Sequence, residues 1–271
     1  MKLALSEIST VNASFAEDVV AYAAAGFAAI GLWEFKLPED DEANRELLRQ
    51  HGLAVANCVP SIPSILQLGI PGLEGPADPD ERIEGICASV RRFAAYSPEC
   101  VIAISGPAGE RSEHEARAIV IDGLRRIAST AQDAGVRLGF EPIHPSERAS
   151  TSFVNSVAVA VELLDEAGLD DVGIMVDTYN LWDDDDAAEW LAANPGRVSG
   201  IHIAGRPLNV AGRALPGEAG GRERELVDAL RAGGWDRSLD VEIFSTPDGF
   251  WSLPVDEAAR CAHAAVVTLL S

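Results

Sequence analysis

The sequence predicts a single (β/α)8 TIM barrel: one parallel eight-stranded barrel with outer helices, spanning residues 1–271 as one domain. Three observations predict it. Eight short apolar runs, rich in β-branched residues, alternate with eight Ala/Leu/Glu/Arg-rich stretches whose apolar residues recur at three-to-four spacing. Short strands separated by helices imply parallel pairing through right-handed crossovers, and eight such units need about 250 residues. No GxGxxG follows the first run, as a dinucleotide-binding sheet would usually show, and no composition break marks a linker.

In chain order, the strand-like runs are Leu3–Ser6, Ala29–Trp33, Ala54–Val59, Val101–Ser105, Arg137–Glu141, Gly173–Asp177, Gly200–Ile203 and Asp240–Phe244. The helical stretches that follow them are Ala16–Ala24, Asp41–His51, Asp80–Tyr96, Glu113–Ala134, Ser156–Ala167, Asp185–Ala193, Arg222–Ala232 and Val255–Leu270. Gly26, Gly52, Gly135, Gly168 and Gly233 stand where helices should stop, because glycine accepts the left-handed turn that closes a helix. Two connections are too long to be turns. Pro60–Ala77 carries Ile62, Ile65, Leu66, Leu68 and Ile70, and is expected to pack over the barrel mouth or against another subunit. Ala204–Gly221 carries Arg206 and Arg213 and reads as a binding loop.

Hydrophobic residues make up 47% of the chain, enough for one large core. The formal charge is −22, from 21 basic and 43 acidic residues. Such a surface repels polyanions, which argues against nucleic acid and anionic membrane as partners. No apolar run approaches the ~18–20 residues needed to span a bilayer. Strand character begins at Leu3, so no secretory leader is expected, and Cys58, Cys87, Cys100 and Cys261 form no CxxC pair. Reduced thiols in a cytoplasmic protein, with a possible homodimer or higher homo-oligomer, are the expectation.

Four side chains then stand out. Glu141 ends the fifth run, Asp177 ends the sixth, His202 lies in the seventh and Glu242 in the eighth. In a closed parallel barrel these positions converge at the C-terminal mouth, where the chemistry of this fold sits. Singly, each has a duller account: a salt-bridged glutamate, a capping aspartate, a core histidine. Together, two Glu, one Asp and one His make a divalent-metal site. A set rich in carboxylates suits Mn²⁺ best, with Mg²⁺, Co²⁺ or Zn²⁺ as alternatives. Such a metal could acidify the proton beside a substrate carbonyl through a stabilised enediolate, with one carboxylate removing the proton and a second returning it. Activity is then expected to fall below about pH 6, as the imidazole protonates. His144, three residues beyond Glu141, is expected to touch substrate. Trp33 could stack on a sugar ring and Lys36 could hold a polar or anionic group.

GFEPIHP at 139–145, MVDTYNLW at 175–182, GIHIAGRP at 200–207, RALPGEAG at 213–220 and DVEIFS at 240–245 resemble the xylose-isomerase-like superfamily of sugar isomerases and epimerases, which includes tagatose 3-epimerase and inosose dehydratase. The resemblance covers nearly the whole chain. It implies metal ligands at Glu141, Asp177, His202 and Glu242, the two glutamates as the acid/base pair, and a substrate-binding arginine at Arg213. Asn180 stands where many relatives carry a histidine, and Gly205 where many carry an aspartate; Asn180 could still hydrogen-bond a substrate hydroxyl. The implied activity is a metal-dependent isomerase or epimerase of a ketose or related keto-polyol. The alternatives are a metal-dependent dehydratase (lyase) of an inosose-like or keto-sugar substrate, a cofactor-free isomerase using Glu141 and Glu242, and a non-catalytic barrel subunit. An endonuclease-like DNA repair enzyme of the same fold is disfavoured by the charge and by the few histidines.

Overall fold

A computed structural model describes residues 1–207 and 212–271. Its strands are β1 (Leu3–Ser6), β2 (Ala29–Trp33), β3 (Ala54–Val59), β4 (Cys100–Ala103), β5 (Leu138–Phe140), β6 (Gly173–Asp177), β7 (Val198–Ile203) and β8 (Leu239–Val241). The helices between and after them are α1 (Phe15–Ala25), α2 (Asp41–His51), α3 (Pro79–Phe93), α4 (Glu113–Ala134), α5 (Val157–Ala167), α6 (Ala187–Ala193), α7 (Glu223–Ala232) and α8 (Val255–Leu270). Every neighbouring pair of strands is parallel, and β8 closes on β1 through Leu3↔Leu239 and Leu5↔Val241. The expected barrel is therefore the observed one. No helix of the described residues is long and apolar enough to cross a membrane.

The period-two alternation of the strands sorts their side chains. Leu5, Ile30, Leu32, Val101, Phe140, Ile174, Val176, Ile201 and Val241 face outward into one continuous core shared with the helices. Burying each large side chain of this kind contributes about 1.5–3 kcal/mol. The inward residues make smaller groups: Ala4, Ala29 and Ala56 in one, Val59, Cys100, Ile102 and Met175 in another, with Trp33 packed on the latter. Gly200 makes the second group possible, since a Cβ there would lie 2.8 Å from Met175 Sδ.

The helix ends follow local rules. Ser14 with Glu17, and Ser112 with Glu115, form capping boxes at the starts of α1 and α4. Gly52 and Gly135 take the left-handed turn expected of them. At the end of α7 the expected Gly233 stays right-handed, and its neighbour Gly234 makes the turn instead, at φ 84°. The eighth strand pairs over Leu239–Val241 rather than Asp240–Phe244, because beyond Glu242 the chain bends to meet Gly212, Arg213 and Trp251.

The connection after β3 packs on its own barrel. Ile65 and Leu66 are fully buried, their N–H groups donating to Ile104 O and Ser105 O, while Leu73 stays exposed. Arg82, on α3, is buried beneath this segment and donates to Ser64 O at 2.8 Å, Glu74 O at 2.7 Å and Pro76 O at 2.9 Å. Of the long connection after β7, residues 208–211 lie outside the described residues.

Beside β1, Glu7 is fully buried; its Oε2 accepts from Trp33 N at 2.7 Å, while its Oε1 finds no partner among the described residues. Burial pushes this carboxyl up to about 8 despite the nearby Lys36, and burial raises Asp18 to about 6. An acid whose pKa rises on folding contributes stability that is full below its unfolded value, near 4.5 for Glu7, and is lost as pH climbs through about 8. Glu7→Gln keeps an acceptor for Trp33 N but cannot ionise. Its stability relative to the unaltered chain should rise by about 1 kcal/mol or more between about pH 5 and about pH 9, read from denaturant midpoints. A difference that does not change with pH would refute this account.

Candidate metal centre

Strand register brings the acids and the imidazole together. Asp177 closes β6 and lies opposite His202 of β7, which in turn lies opposite Asp240 of β8. Glu141 and Glu242 sit one residue past their strands, yet their N–H groups still donate across the barrel seam, to Ala103 O at 3.0 Å and Ile203 O at 3.1 Å. All four predicted ligands are therefore fixed by backbone pairing, at the end of the barrel from which the strands exit. Glu141, Asp177 and His202 are buried and offer ligand atoms within 4.8 Å of one another. Glu242 Oε2 stands 3.2 Å from His202 Nδ1, but its carboxylate is turned to Arg213. The structure thus gathers three of the four into one cluster and places the fourth beside it.

Arg213 is the cation of this site. Its guanidinium joins Asp177 Oδ2 at 2.8 Å to Glu242 Oε2 at 2.7 Å, and lies over the rings of Tyr179 and Phe244, each 4.8 Å from the guanidinium carbon. Asn180 lies inside the cluster. Its amide donates to Glu141 Oε1 at 3.2 Å and to Asp177 Oδ2 at 3.0 Å, and its oxygen faces His144 N at 3.4 Å. Its two amide hydrogens thus tie two carboxylates together. Lys36 is not brought to the cluster. Its ammonium donates to Glu7 O, Thr10 O and the Asp18 carboxylate, which uses all three of its hydrogens in a buried ion pair.

Trp33 lies on the inward apolar group, its indole N–H donating to Ser6 Oγ at 2.9 Å and its ring edge-on to Phe244. His144 has one ring nitrogen 3.1 Å from Ser146 N and the other 3.1 Å from Asp183 and 3.0 Å from Trp182 Nε1. Arg206 stacks over Tyr179 and Trp182, so an arginine–aromatic wall runs from β6 to β8. Sequence reasoning missed Tyr179, Phe244, Asn57 and Asp240. Asp240 carried a signal: it precedes Glu242 by two residues, so both must face the same side of their strand.

The charges explain the protonation pattern. Burial, with Asp177 and Glu242 nearby, pushes Glu141 up to about 8 despite His202 and Arg213. Burial also raises Asp177, reinforced by Glu242 against the pull of Arg213. Burial opposes ionisation of Glu242 too, but His202 and Arg213 outweigh it and hold this carboxyl low. For His202, burial disfavours the imidazolium, yet Glu242, Asp240 and Glu141 prevail and lift it to about 10.

The donor set fits a divalent cation. His202 Nδ1 is buried and makes no well-formed hydrogen bond although Glu242 Oε2 stands 3.2 Å away, and it lies among carboxylates rather than thiols. The cluster could therefore hold a metal ion. The fold and these donors define a parallel barrel built around a metal-capable mouth. The family model described as xylose isomerase-like TIM barrel matches residues 19–264, and the chain belongs to that family. It is 27% identical over 133 residues to D-psicose 3-epimerase of Enterocloster bolteae, a stretch covering 49% of this chain and 42% of that protein's length. A crystal structure of a Sinorhizobium meliloti protein superposes with a TM-score of 0.85 at 23% identity, covering 99% of this chain and 98% of the other. The IolI protein, solved with a bound zinc atom, gives 0.82 at 20% identity over 100% and 98%. At such identities the two structures establish likeness of fold.

Protons and a metal ion must compete for His202, and its acidic neighbours carry that competition well above the pH 6 range expected of an ordinary imidazole. Affinity for Mn²⁺ should therefore rise with pH by about tenfold or more per unit between about pH 6 and about pH 8, as His202 and Glu141 give up protons. Calorimetry in buffers of different ionisation enthalpy should show about one to two protons released per ion. An affinity that does not vary with pH would contradict this picture of the site.

Proposed function

We propose that the chain is a divalent-metal-dependent isomerase or epimerase of a ketose or related keto-polyol, acting by proton abstraction beside a carbonyl. The observation that carries this reading is the meeting of Glu141, Asp177 and His202, with Glu242 3.2 Å from the imidazole, at the mouth of a barrel of this family. The D-psicose 3-epimerase relative supports a carbohydrate substrate. A bound cation, held by these residues, would supply the positive charge that makes a carbon-bound proton beside a carbonyl acidic.

The chain's own residues do the rest. Glu242, held ionised by His202 and Arg213, is suited to accept a proton. Glu141, pushed up to about 8, is suited to hold one and give it back. Two carboxyl groups driven in opposite directions by their surroundings are what acid–base exchange at one carbon requires. Arg213 orients Glu242 and can donate to a substrate oxygen with its remaining N–H groups. Asn180 fixes Glu141 relative to Asp177. Trp33, Tyr179 and Phe244 offer ring faces and edges to a sugar carbon skeleton.

Solvent-deuterium incorporation tests this reading. A panel of ketoses and inososes incubated in D₂O with the protein and Mn²⁺ should show exchange at one carbon next to the carbonyl. Glu242→Gln and Glu141→Gln should each slow that exchange by about 10²–10⁴-fold while the fold is retained. No exchange from any member of the panel by the Mn²⁺-loaded protein, or full exchange in both variants, would overturn it.

A further inference from the structure

Beneath the ligand cluster, one layer deeper in the barrel, lies a second acid that the mechanism above does not use. Asp240 is completely buried, as is its neighbour Asn57 apart from 2% of its surface. Asn57 Nδ2 donates to Asp240 Oδ2 at 2.7 Å. The same Oδ2 stands 3.6 Å from His202 Nε2, and Asn57 Oδ1 stands 3.4 Å from that nitrogen. Asp240 Oδ1 has no hydrogen-bond partner among the described residues. Removing a carboxylate from water costs several kcal/mol, so such a group persists where something else depends on it.

The barrel is shaped to admit this carboxylate. Gly31 of β2 faces it, and a Cβ on Gly31 would lie 2.1 Å from Asp240 Oδ2. Asn57 is the one amide in an otherwise apolar strand, and its two ends are told apart by their neighbours. Its NH₂ donates to Asp240 Oδ2 at 2.7 Å, which leaves its oxygen, an acceptor only, toward the imidazole. His202 Nε2 therefore faces Asn57 Oδ1 and the Asp240 carboxyl, while the opposite nitrogen, Nδ1, faces Glu242 Oε2 at 3.2 Å. With a cation at Nδ1, Nε2 is the nitrogen left to carry the hydrogen, and it has acceptors waiting for it.

We infer that Asp240, with Asn57, is a positioning element for His202: it fixes the ring plane and the Nε2–H tautomer, so that the Nδ1 lone pair points into the cluster with Glu141 and Asp177. Gly31 is part of the device, as the residue that leaves room for the carboxylate. This inference rests on the reading of His202 as a metal ligand. A carboxylate behind a ligating imidazole orients the ring and raises its basicity.

The test separates the two ideas. Zn²⁺ and Mn²⁺ affinities are measured by calorimetry for the unaltered protein, Asp240→Ala and Asp240→Asn, with circular dichroism to show retained fold. The ¹⁵N imidazole spectrum of each Zn²⁺-loaded protein reports which ring nitrogen of His202 carries hydrogen. Asp240→Ala should weaken binding by about 10–100-fold and broaden or shift the His202 Nε2–H signal; Asp240→Asn, which keeps an acceptor, should lose less. Where Asp240→Ala cannot be folded, Asp240→Asn and Asn57→Ala provide the same comparison. Unchanged affinity and an unchanged His202 spectrum in the folded variants would overturn the inference while leaving the metal site intact. An unaltered protein that binds neither ion would sink both.

Discussion

Buried negative charge is the constraint around which the interior of this barrel is organised. Glu141, Asp177, Asp240 and Glu242 are all almost wholly excluded from water and face one another across the strands β5 to β8. Among the described residues, only His202 and Arg213 meet them as cations. Desolvation alone would force several of these acids to protonate, and each raised carboxyl records that pressure. A fold keeps such a group only if the surrounding pairing leaves the side chains nowhere else to go. Here that pairing is the closed parallel ladder, whose registers set Asp177 opposite His202 and His202 opposite Asp240 before any side chain chooses a rotamer.

The apolar frame makes this tolerable. Outward-facing strand residues bury against the helices in one continuous core, whereas the inward group of Val59, Cys100, Ile102 and Met175 is small and sits beneath Trp33. The large core supplies the stability that the charged interior spends. The chain places glycine where a side chain would block the interior: Gly200 yields to Met175, and Gly31 to Asp240. Arg82 does similar service on the outside. It satisfies three backbone carbonyls of the segment after β3 and so lets apolar Ile65 and Leu66 be buried within an irregular stretch.

What could be read in the sequence follows from the same physics. Glu141, Asp177 and His202 were legible because a strand has only two faces, and an acid at the end of an apolar run in a closed barrel must face inward at the mouth. Family resemblance strengthened that reading but added no geometry. Lys36 and Asn180 were harder. A long or forked polar side chain takes whichever partners lie within reach, and Lys36 found Asp18 on α1, a pairing that depends on how that helix packs. Asn180 found the two carboxylates that its own turn brings within reach. Asp240 and Asn57 were visible as lone polar residues in apolar strands, yet their partnership joins β3 to β8 across the barrel interior, and no local pattern encodes that meeting.

Arg213 resolves a further question of charge. It bridges Asp177 and Glu242, so one guanidinium meets two of the four buried carboxyls. His202, lifted to about 10, is the second cation, and two cations leave the four acids in excess when all are ionised. Burial answers that excess by raising Glu141, Asp177 and Asp240. Glu242, which lies against both cations, is the one carboxyl held low. The same excess is what a divalent cation in the cluster would relieve, since its charge favours the ionised carboxyls that burial alone disfavours.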